Sequence, residues 1–183
     1  MKPLLRFADV GLRRGGRLLF ENLSLALGPG EALQVTGPNG SGKSSLIRLA
    51  AGLLRPERGS VERSPLALAD DRLALDRELP LGAALNFWGG ATVEPVGSFG
   101  LSSLADAPVR LLSAGQAKRA ALARVVASGA RLWLLDEPAN GLDSDALALL
   151  AGLLERHRSS GGAILAASHS PLPGEWRTLE LRA

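Results

Sequence analysis

Six short apolar runs are spread along the chain, and each is bounded by glycine, proline or charged residues. Runs of this length and setting predict β-strands. They cover residues 4–10, 18–27, 32–36, 66–69, 132–136 and 163–168. Four longer stretches carry apolar residues at helical spacing instead, and they predict helices over residues 43–54, 81–88, 113–126 and 144–158.

The order of these elements predicts an α/β fold, because strands that alternate with helices form a largely parallel sheet covered on both faces. The first two strands are joined by the short turn Arg14-Gly15-Gly16-Arg17 and are expected to form an antiparallel β flap. The glycine-broken, helical stretch of residues 70–130 predicts a small helical subdomain inserted into the core. With 183 residues, the chain has the length of one domain, which we assign to residues 1–183.

The helix predicted over residues 144–158 has an apolar face. Leu147, Leu150, Ala151 and Leu154 share this face at helical spacing, so the helix is expected to pack on the sheet. His157 lies late in the helix beside arginines. We expect it to be a surface residue near the negative end of the helix dipole.

Composition and charge narrow the possible classes of function. The apolar runs fall well short of the roughly 20 residues that span a bilayer, and the first residues become charged too early for a signal peptide. The net charge of +3 comes from scattered arginines, which is typical of a solvated surface rather than of a nucleic-acid site. The chain has no cysteine, which excludes disulfides and thiolate metal sites. These features predict a cytosolic protein that does not bind nucleic acid.

A phosphate-binding loop is predicted directly after the third strand, where the sequence fits the pattern G-x-x-x-x-G-K-[ST]. Glycines let backbone N–H groups converge on phosphate oxygens, and the start of the next helix adds partial positive charge. Lys43 is expected to reach the β- and γ-phosphates of ATP, and the Ser44 hydroxyl is expected to bind Mg²⁺. The predicted nucleotide site comprises Gly37, Pro38, Asn39, Gly40, Ser41, Gly42, Lys43, Ser44 and Ser45.

Two adjacent acids, Asp136 and Glu137, end the strand predicted over residues 132–136. Such a pair can simply begin an acidic loop, but beside a phosphate loop it indicates catalysis. Asp136 is predicted to hold Mg²⁺ through its water shell. Glu137 is predicted to polarise the water that attacks the γ-phosphate. The chain is therefore expected to hydrolyse ATP.

The segment Leu112-Ser113-Ala114-Gly115-Gln116 opens the third predicted helix, and Ser113 suits its N-cap. Free N–H groups at such a helix start bind anions. At this segment the chain resembles the ABC ATPase family, whose signature reads Leu-Ser-Gly-Gly-Gln. The resemblance implies that Ser113, Gly115 and Gln116 bind the γ-phosphate of an ATP held by a second subunit. Two copies of the chain would then enclose two nucleotides head to tail.

Two further segments resemble the family in the family's own order. The segment Asn-Gly-Leu-Asp at residues 140–143 is similar to the loop through which the two subunits sense each other's site. His169 follows the strand predicted over residues 163–168 and is similar to the switch histidine that contacts the γ-phosphate.

Three positions depart from the family pattern. Ala114 replaces a signature glycine, which a helical backbone permits. Arg14 stands where the family has an aromatic residue that stacks on adenine, and a guanidinium plane can also stack on a base. A family glutamine that links the attacking water to the membrane partner is replaced here by Asp71 or Arg72.

The phosphate-loop run, the alanine in the signature and the small size are also similar to haem exporter ATP-binding subunits of bacterial cytochrome c maturation. This resemblance implies integral membrane transporter subunits as partners and a peripheral position at the cytoplasmic face of the bacterial inner membrane. The identity of the cargo rests on resemblance alone. The alternatives are another ABC exporter, a soluble ABC ATPase acting on nucleic acid or the ribosome, and a small-molecule P-loop kinase. The chain lacks the long coiled-coil insertion and the second cassette of the soluble members, and a kinase would not need residues 112–116.

Overall fold

The structure, a computed structural model, describes residues 2–89 and 97–181. Within these ranges the strands are β1 (Leu5–Arg14), β2 (Arg17–Leu27), β3 (Ala32–Thr36), β4 (Arg58–Arg63), β5 (Leu66–Ala69), β6 (Leu132–Asp136), β7 (Ala163–Ala167) and β8 (Arg177–Glu180). The helices are α1 (Lys43–Ala51), α2 (Leu81–Gly89), α3 (Ala114–Ala127) and α4 (Ser144–Ser159), with 3₁₀ turns at Gly97–Phe99, Ser102–Leu104 and Val109–Leu111. Every strand and helix predicted from the apolar pattern is present, with ends that differ by a few residues.

The antiparallel flap combines three strands in the spatial order β2-β1-β4. Gly15 and Gly16 form a two-residue turn with φ of 58° and 79°, a conformation that glycine adopts without strain. The turn places Arg14 directly opposite Arg17 in the β1–β2 ladder. The predicted flap is therefore confirmed, and its hairpin tip carries two facing arginines.

The second sheet is parallel and has the strand order β5-β6-β7-β3-β8. Its three middle strands are buried along nearly their whole length, as expected where both faces of a parallel sheet are covered. One face packs against α1 and the flap, and the other packs against α2, α3 and α4. The predicted α/β fold class is confirmed.

Two strands were missed by the sequence pattern. Most side chains of β4 and β8 are exposed, so neither strand contains an apolar run. Each lies at the edge of its sheet and forms because its backbone pairs with β1 or β3. Long-range hydrogen bonding, rather than burial, therefore produces both strands.

The predicted helical insertion lies between β5 and β6 and contains α2, α3 and the 3₁₀ turns. Residues 90–96 of this insertion, like residues 1, 182 and 183 of the predicted domain, lie outside the described residues. In the part of the chain that is described, no helix combines the length and the apolar character needed to cross a membrane. The assignment of residues 1–183 to one domain stays a prediction.

Helix α4 turns a slightly different face to the sheet than its spacing predicts. Its buried residues are Ala146, Leu150, Leu153 and Leu154. Leu147 and Ala151, which were predicted to share the buried face, are only half-buried. The last turn of the helix also packs against an aromatic residue of β6.

The aromatic residue is Trp133, and its partner on α4 is His157. The two rings are stacked, with centroids 3.7 Å apart and planes inclined by 12°. His157 Nε2 donates a hydrogen bond to the Arg131 carbonyl oxygen at 3.2 Å, and burial lowers the pKa of His157. His157 does lie in the last turn of α4, as its predicted place near the helix C-terminus requires, but it is half-buried rather than fully at the surface because its ring stacks on a distant strand.

Candidate functional site

The phosphate loop connects β3 to α1 at the carboxyl edge of the parallel sheet, where ligands of such sheets bind. Gly37, Gly40 and Gly42 have φ values of 136°, 82° and 104°, and only glycine follows such a path without strain. A Cβ atom on Gly37 would collide with the backbone carbonyl of Leu181. The glycines of the motif are thus required by the backbone path itself.

Lys43 occupies the centre of this loop and is only 7% exposed. Its Nζ donates to the carbonyl oxygens of Gly37 at 2.7 Å and Pro38 at 3.1 Å. A charged group held in this way at the start of a helix is well placed to bind phosphate oxygens.

The loop opens on a cleft of about 930 Å³. Most of the predicted nucleotide residues line this cleft: Arg14, Gly37, Pro38, Asn39, Gly40, Gly42, Lys43, Ser44 and Ser45, together with Glu137 and His169. Ser41 does not line the cleft, because its side chain lies behind Gly37. A Cβ atom added to Gly37 would lie 2.9 Å from Ser41 Oγ. Among the residues described, that hydroxyl has no hydrogen-bond partner.

Ser44 and Asp136 line a smaller crevice of about 390 Å³ beside the cleft. Burial raises the pKa of the Asp136 carboxyl, and a hydrogen bond from Ser44 opposes this rise. Asp136 Oδ1 is buried and has no hydrogen-bond partner in the described part of the chain. A hydroxyl oxygen beside an unsatisfied carboxylate oxygen is a donor set that suits Mg²⁺. The two predicted metal residues are therefore brought together and fit that ion.

Glu137 follows β6 in a left-handed conformation with φ of 49°. Its backbone N–H donates to the Ala167 carbonyl at 2.8 Å, which aligns the ends of β6 and β7. Glu137 Oε2 accepts a hydrogen bond from His169 Nδ1 at 2.9 Å. The two predicted catalytic residues thus form a pair at the mouth of the cleft, and each retains solvent exposure, 25% for Glu137 and 52% for His169.

The signature segment begins α3 but does not line the cleft of its own chain. Ser113 Oγ accepts from the Gln116 backbone N–H at 3.3 Å, and Gln116 Oε1 accepts from the Ser113 backbone N–H at 2.8 Å. This reciprocal capping box confirms Ser113 as the N-cap. Ser113 is exposed, and Gly115 and Gln116 are half-exposed, so this helix start faces solvent.

Sequence reasoning missed several residues at the site, among them Arg48 of α1, which lines the crevice. Arg17 and Leu19 line the cleft from β2, and the position of Arg17 opposite Arg14 across a two-residue turn was an available signal. Lys118 of α3 lines the crevice, where its Nζ donates to the Asp136 carbonyl oxygen at 3.3 Å. No sequence pattern pointed to Lys118, because it reaches Asp136 through tertiary packing.

Asp71 and Arg72, the two residues that could replace the family glutamine, differ in their position relative to the crevice. Asp71 lines the crevice with Ser44 and Asp136, whereas Arg72 does not. The Arg72 backbone N–H instead donates to Asp70 Oδ1 at 3.0 Å in a tight turn.

The phosphate loop, the paired acids and the capped helix, held on this α/β fold with its flap, define the class of P-loop nucleotide-binding domains. A family model of the ABC transporter matches residues 20–80, and a model of an AAA domain matches residues 69–172. A solved ATP-binding subunit of an ABC transporter is similar with a TM-score of 0.81 at 22% identity, over 91% of this chain and 79% of that chain. CbiO1 from Clostridium perfringens, part of the transporter complex cbiONQ, is similar with a TM-score of 0.74 at 22% identity, over 93% of this chain and 80% of that chain. These structures share the fold.

Sequence relatives specify the family more narrowly. The cytochrome c biogenesis ATP-binding export protein CcmA of Sphingopyxis alaskensis is 55% identical over 94% of this chain and 93% of its own length. The protein of the same name from Zymomonas mobilis is 51% identical over 94% of this chain and 82% of its length. The chain belongs to the CcmA family of ABC-type ATPases.

Proposed function

We propose that this chain is the ATP-hydrolysing subunit of an exporter that serves the biogenesis of c-type cytochromes, with haem as the cargo. The observation that carries the proposal is 55% identity to a CcmA protein over nearly the full length of both chains. Haem fits because it is the group that c-type cytochromes carry.

The site supports distinct roles for its residues. Lys43 and the N–H groups of the phosphate loop would bind the β- and γ-phosphates, where Lys43 already lies buried between two carbonyl groups. Ser44 and Asp136 would hold Mg²⁺, which neutralises charge on the phosphates when it is bound. Glu137 would polarise the attacking water. His169, whose Nδ1 is hydrogen-bonded to Glu137 in this structure, would contact the γ-phosphate.

A head-to-tail dimer is part of the proposal. Ser113 is exposed, Gly115 and Gln116 are half-exposed, and none of the three lines the cleft of its own chain. The start of α3, through the Gly115 N–H and the side chains of Ser113 and Gln116, would bind the γ-phosphate held by a second copy.

An exposed apolar surface supports membrane subunits as partners. Trp88 and Leu53 line one groove, and Phe87 contacts Trp88 edge to face at 5.8 Å between ring centroids. Phe87 is 82% exposed and Leu53 is 61% exposed, and such patches mark interaction sites. A helix of the membrane subunit docked here would hold the chain at the cytoplasmic face of the inner membrane.

The proposal is tested by replacing the native gene with one that encodes Glu137→Gln. We expect the cells to lose c-type cytochromes, measured as haem that stays covalently bound to protein after denaturing electrophoresis. The tagged wild-type chain should also co-purify with integral membrane proteins from solubilised membranes. Normal c-type cytochromes in cells that produce the folded variant would refute the proposed cargo pathway.

A further inference from the structure

The hairpin tip of the flap presents two arginines to the nucleotide cleft. Arg14 and Arg17 are paired across the β1–β2 ladder, so their side chains leave the same face of the flap. Gly15 and Gly16 hold this register, because a two-residue turn with both φ values positive joins the strands at one fixed offset. Both arginines line the cleft that contains Lys43.

Two like charges placed directly opposite each other destabilise a sheet. Within residues 2–89 and 97–181, neither arginine lies within salt-bridge distance of an acidic side chain. By contrast, the neighbouring Arg13 pairs with Glu57 at 3.9 Å. An anion in the cleft would relieve the repulsion between Arg14 and Arg17.

Arg14 is held at the phosphate end of the cleft. Its Nη1 lies 3.4 Å from Ser45 Oγ, in the first turn of α1, next to the loop itself. A guanidinium at this position lies beside the N-terminus of α1, where phosphate oxygens bind, and it presents several donors to them.

The cleft offers little to a base. Neither Phe nor Trp is among its described lining residues, and the chain has no tyrosine. Among the described lining residues the one aromatic ring is that of His169, and it is hydrogen-bonded to Glu137. Leu19 is an apolar contact from the flap, and apolar contact distinguishes one purine from another only weakly.

We propose that Arg14 and Arg17 form a polyphosphate clamp, so that the chain takes nucleoside triphosphates with little discrimination of the base. The inference rests on nucleotide binding at the proposed site and names the substrate class of that site. Affinity then comes mainly from the phosphate chain, which contacts Lys43, the loop N–H groups and the two guanidinium groups.

The test measures binding of MgATP, MgGTP and magnesium tripolyphosphate to the full chain by calorimetry. We expect ATP and GTP to bind within about threefold of each other. Arg14→Gln and Arg17→Gln should each weaken all three ligands by a similar factor, about tenfold for the loss of one charged donor. Arg14→Lys, which keeps the charge but has no plane to stack, should retain most of the affinity.

Arg13→Gln is the matched control, since Arg13 pairs with Glu57 and does not line the cleft. It should bind all three ligands as the wild type does. If the wild type prefers ATP over GTP by tenfold or more and Arg14→Lys abolishes this preference, Arg14 stacks on the base. That result would overturn the proposed clamp. Unchanged affinities in folded Arg14→Gln and Arg17→Gln chains would also overturn it. A failure of the export function alone would leave these binding constants unaffected, so the two proposals fail separately.

Discussion

Glu137 combines backbone strain with a hydrogen bond to His169. A non-glycine residue in the left-handed region costs about 1 kcal/mol, and Glu137 keeps φ of 49° because its N–H bonds the Ala167 carbonyl. This conformation directs the carboxylate to His169. Strain of this kind persists where the position of a side chain matters to function.

Glu137→Gln should abolish ATP turnover while leaving ATP binding intact. The amide keeps the size of the side chain but cannot accept a proton from water, so we expect the hydrolysis rate to fall by about 10²–10⁴-fold. Phosphate release and equilibrium ATP binding measure the two properties separately. Asp145→Asn, at an exposed position in the first turn of α4, is the control and should retain activity. A Glu137→Gln chain that turns over at the wild-type rate would exclude Glu137 as the base.

His157 should make stability depend on pH. Burial lowers its pKa in the folded chain, whereas the unfolded chain keeps a value of about 6.5. Below about pH 6.5 the unfolded chain therefore binds more protons, and the free energy of unfolding falls as pH falls toward the lowered native pKa. Urea unfolding at several pH values between 5 and 7.5 measures this decrease in the free energy of unfolding. The decrease on acidification should be smaller for His157→Phe, which can still stack on Trp133, than for the wild type. Equal losses in the two chains would contradict this assignment.

At the scale of elements, the start of α3 is stabilised independently of any ligand. Ser113→Ala removes the oxygen that accepts the Gln116 N–H, so the free energy of unfolding should drop by about 1 kcal/mol. Ser144→Ala is the matched control, because Asp143 caps α4 and Ser144 makes no cap bond there. Chemical denaturation of both variants measures the difference. Equal stability of the two variants would show that the capping box contributes nothing.

At the scale of the whole molecule, the proposed dimer should form only when ATP is present and not hydrolysed. Glu137→Gln with ATP should double the mass of the 19.0 kDa chain in light scattering. Adding Ser113→Glu should prevent this, because an acid is tolerated at a helix start but would repel a γ-phosphate from the second copy. The double variant should still bind ATP as a monomer. Dimerisation of that variant would contradict a role for the signature helix at the interface.

The binding of membrane subunits by the apolar surface around Trp88 is also a property of the whole molecule. Phe87→Glu should abolish co-purification with membrane subunits while preserving the fold and ATP binding, because Phe87 is 82% exposed and distant in sequence from the phosphate loop. Leu111→Glu, at another exposed apolar position, is the control and should retain the partners. Retention of the membrane proteins by Phe87→Glu would place their contact elsewhere on the chain.

Features that depend on neighbouring residues were predictable from the sequence by itself. The phosphate loop is one, because its positive φ values need glycine at Gly37, Gly40 and Gly42. The buried strands are another, because each must contribute a continuous apolar run to a sheet covered on both faces. The N-cap of α3 is a third, since the Ser113 side chain accepts from an N–H only three residues further on.

Tertiary structure decided the features that join distant parts of the chain. The exposed edge strands β4 and β8 form through pairing with β1 and β3, and His157 is half-buried because its ring stacks on Trp133 and bonds the Arg131 carbonyl. Glu137 meets His169 across 32 positions of sequence, and Arg14 meets Ser45 across 31. The physical reason is common to all four: hydrogen bonding, stacking and charge act over a few ångströms in space. The fold alone determines which residues come within that distance.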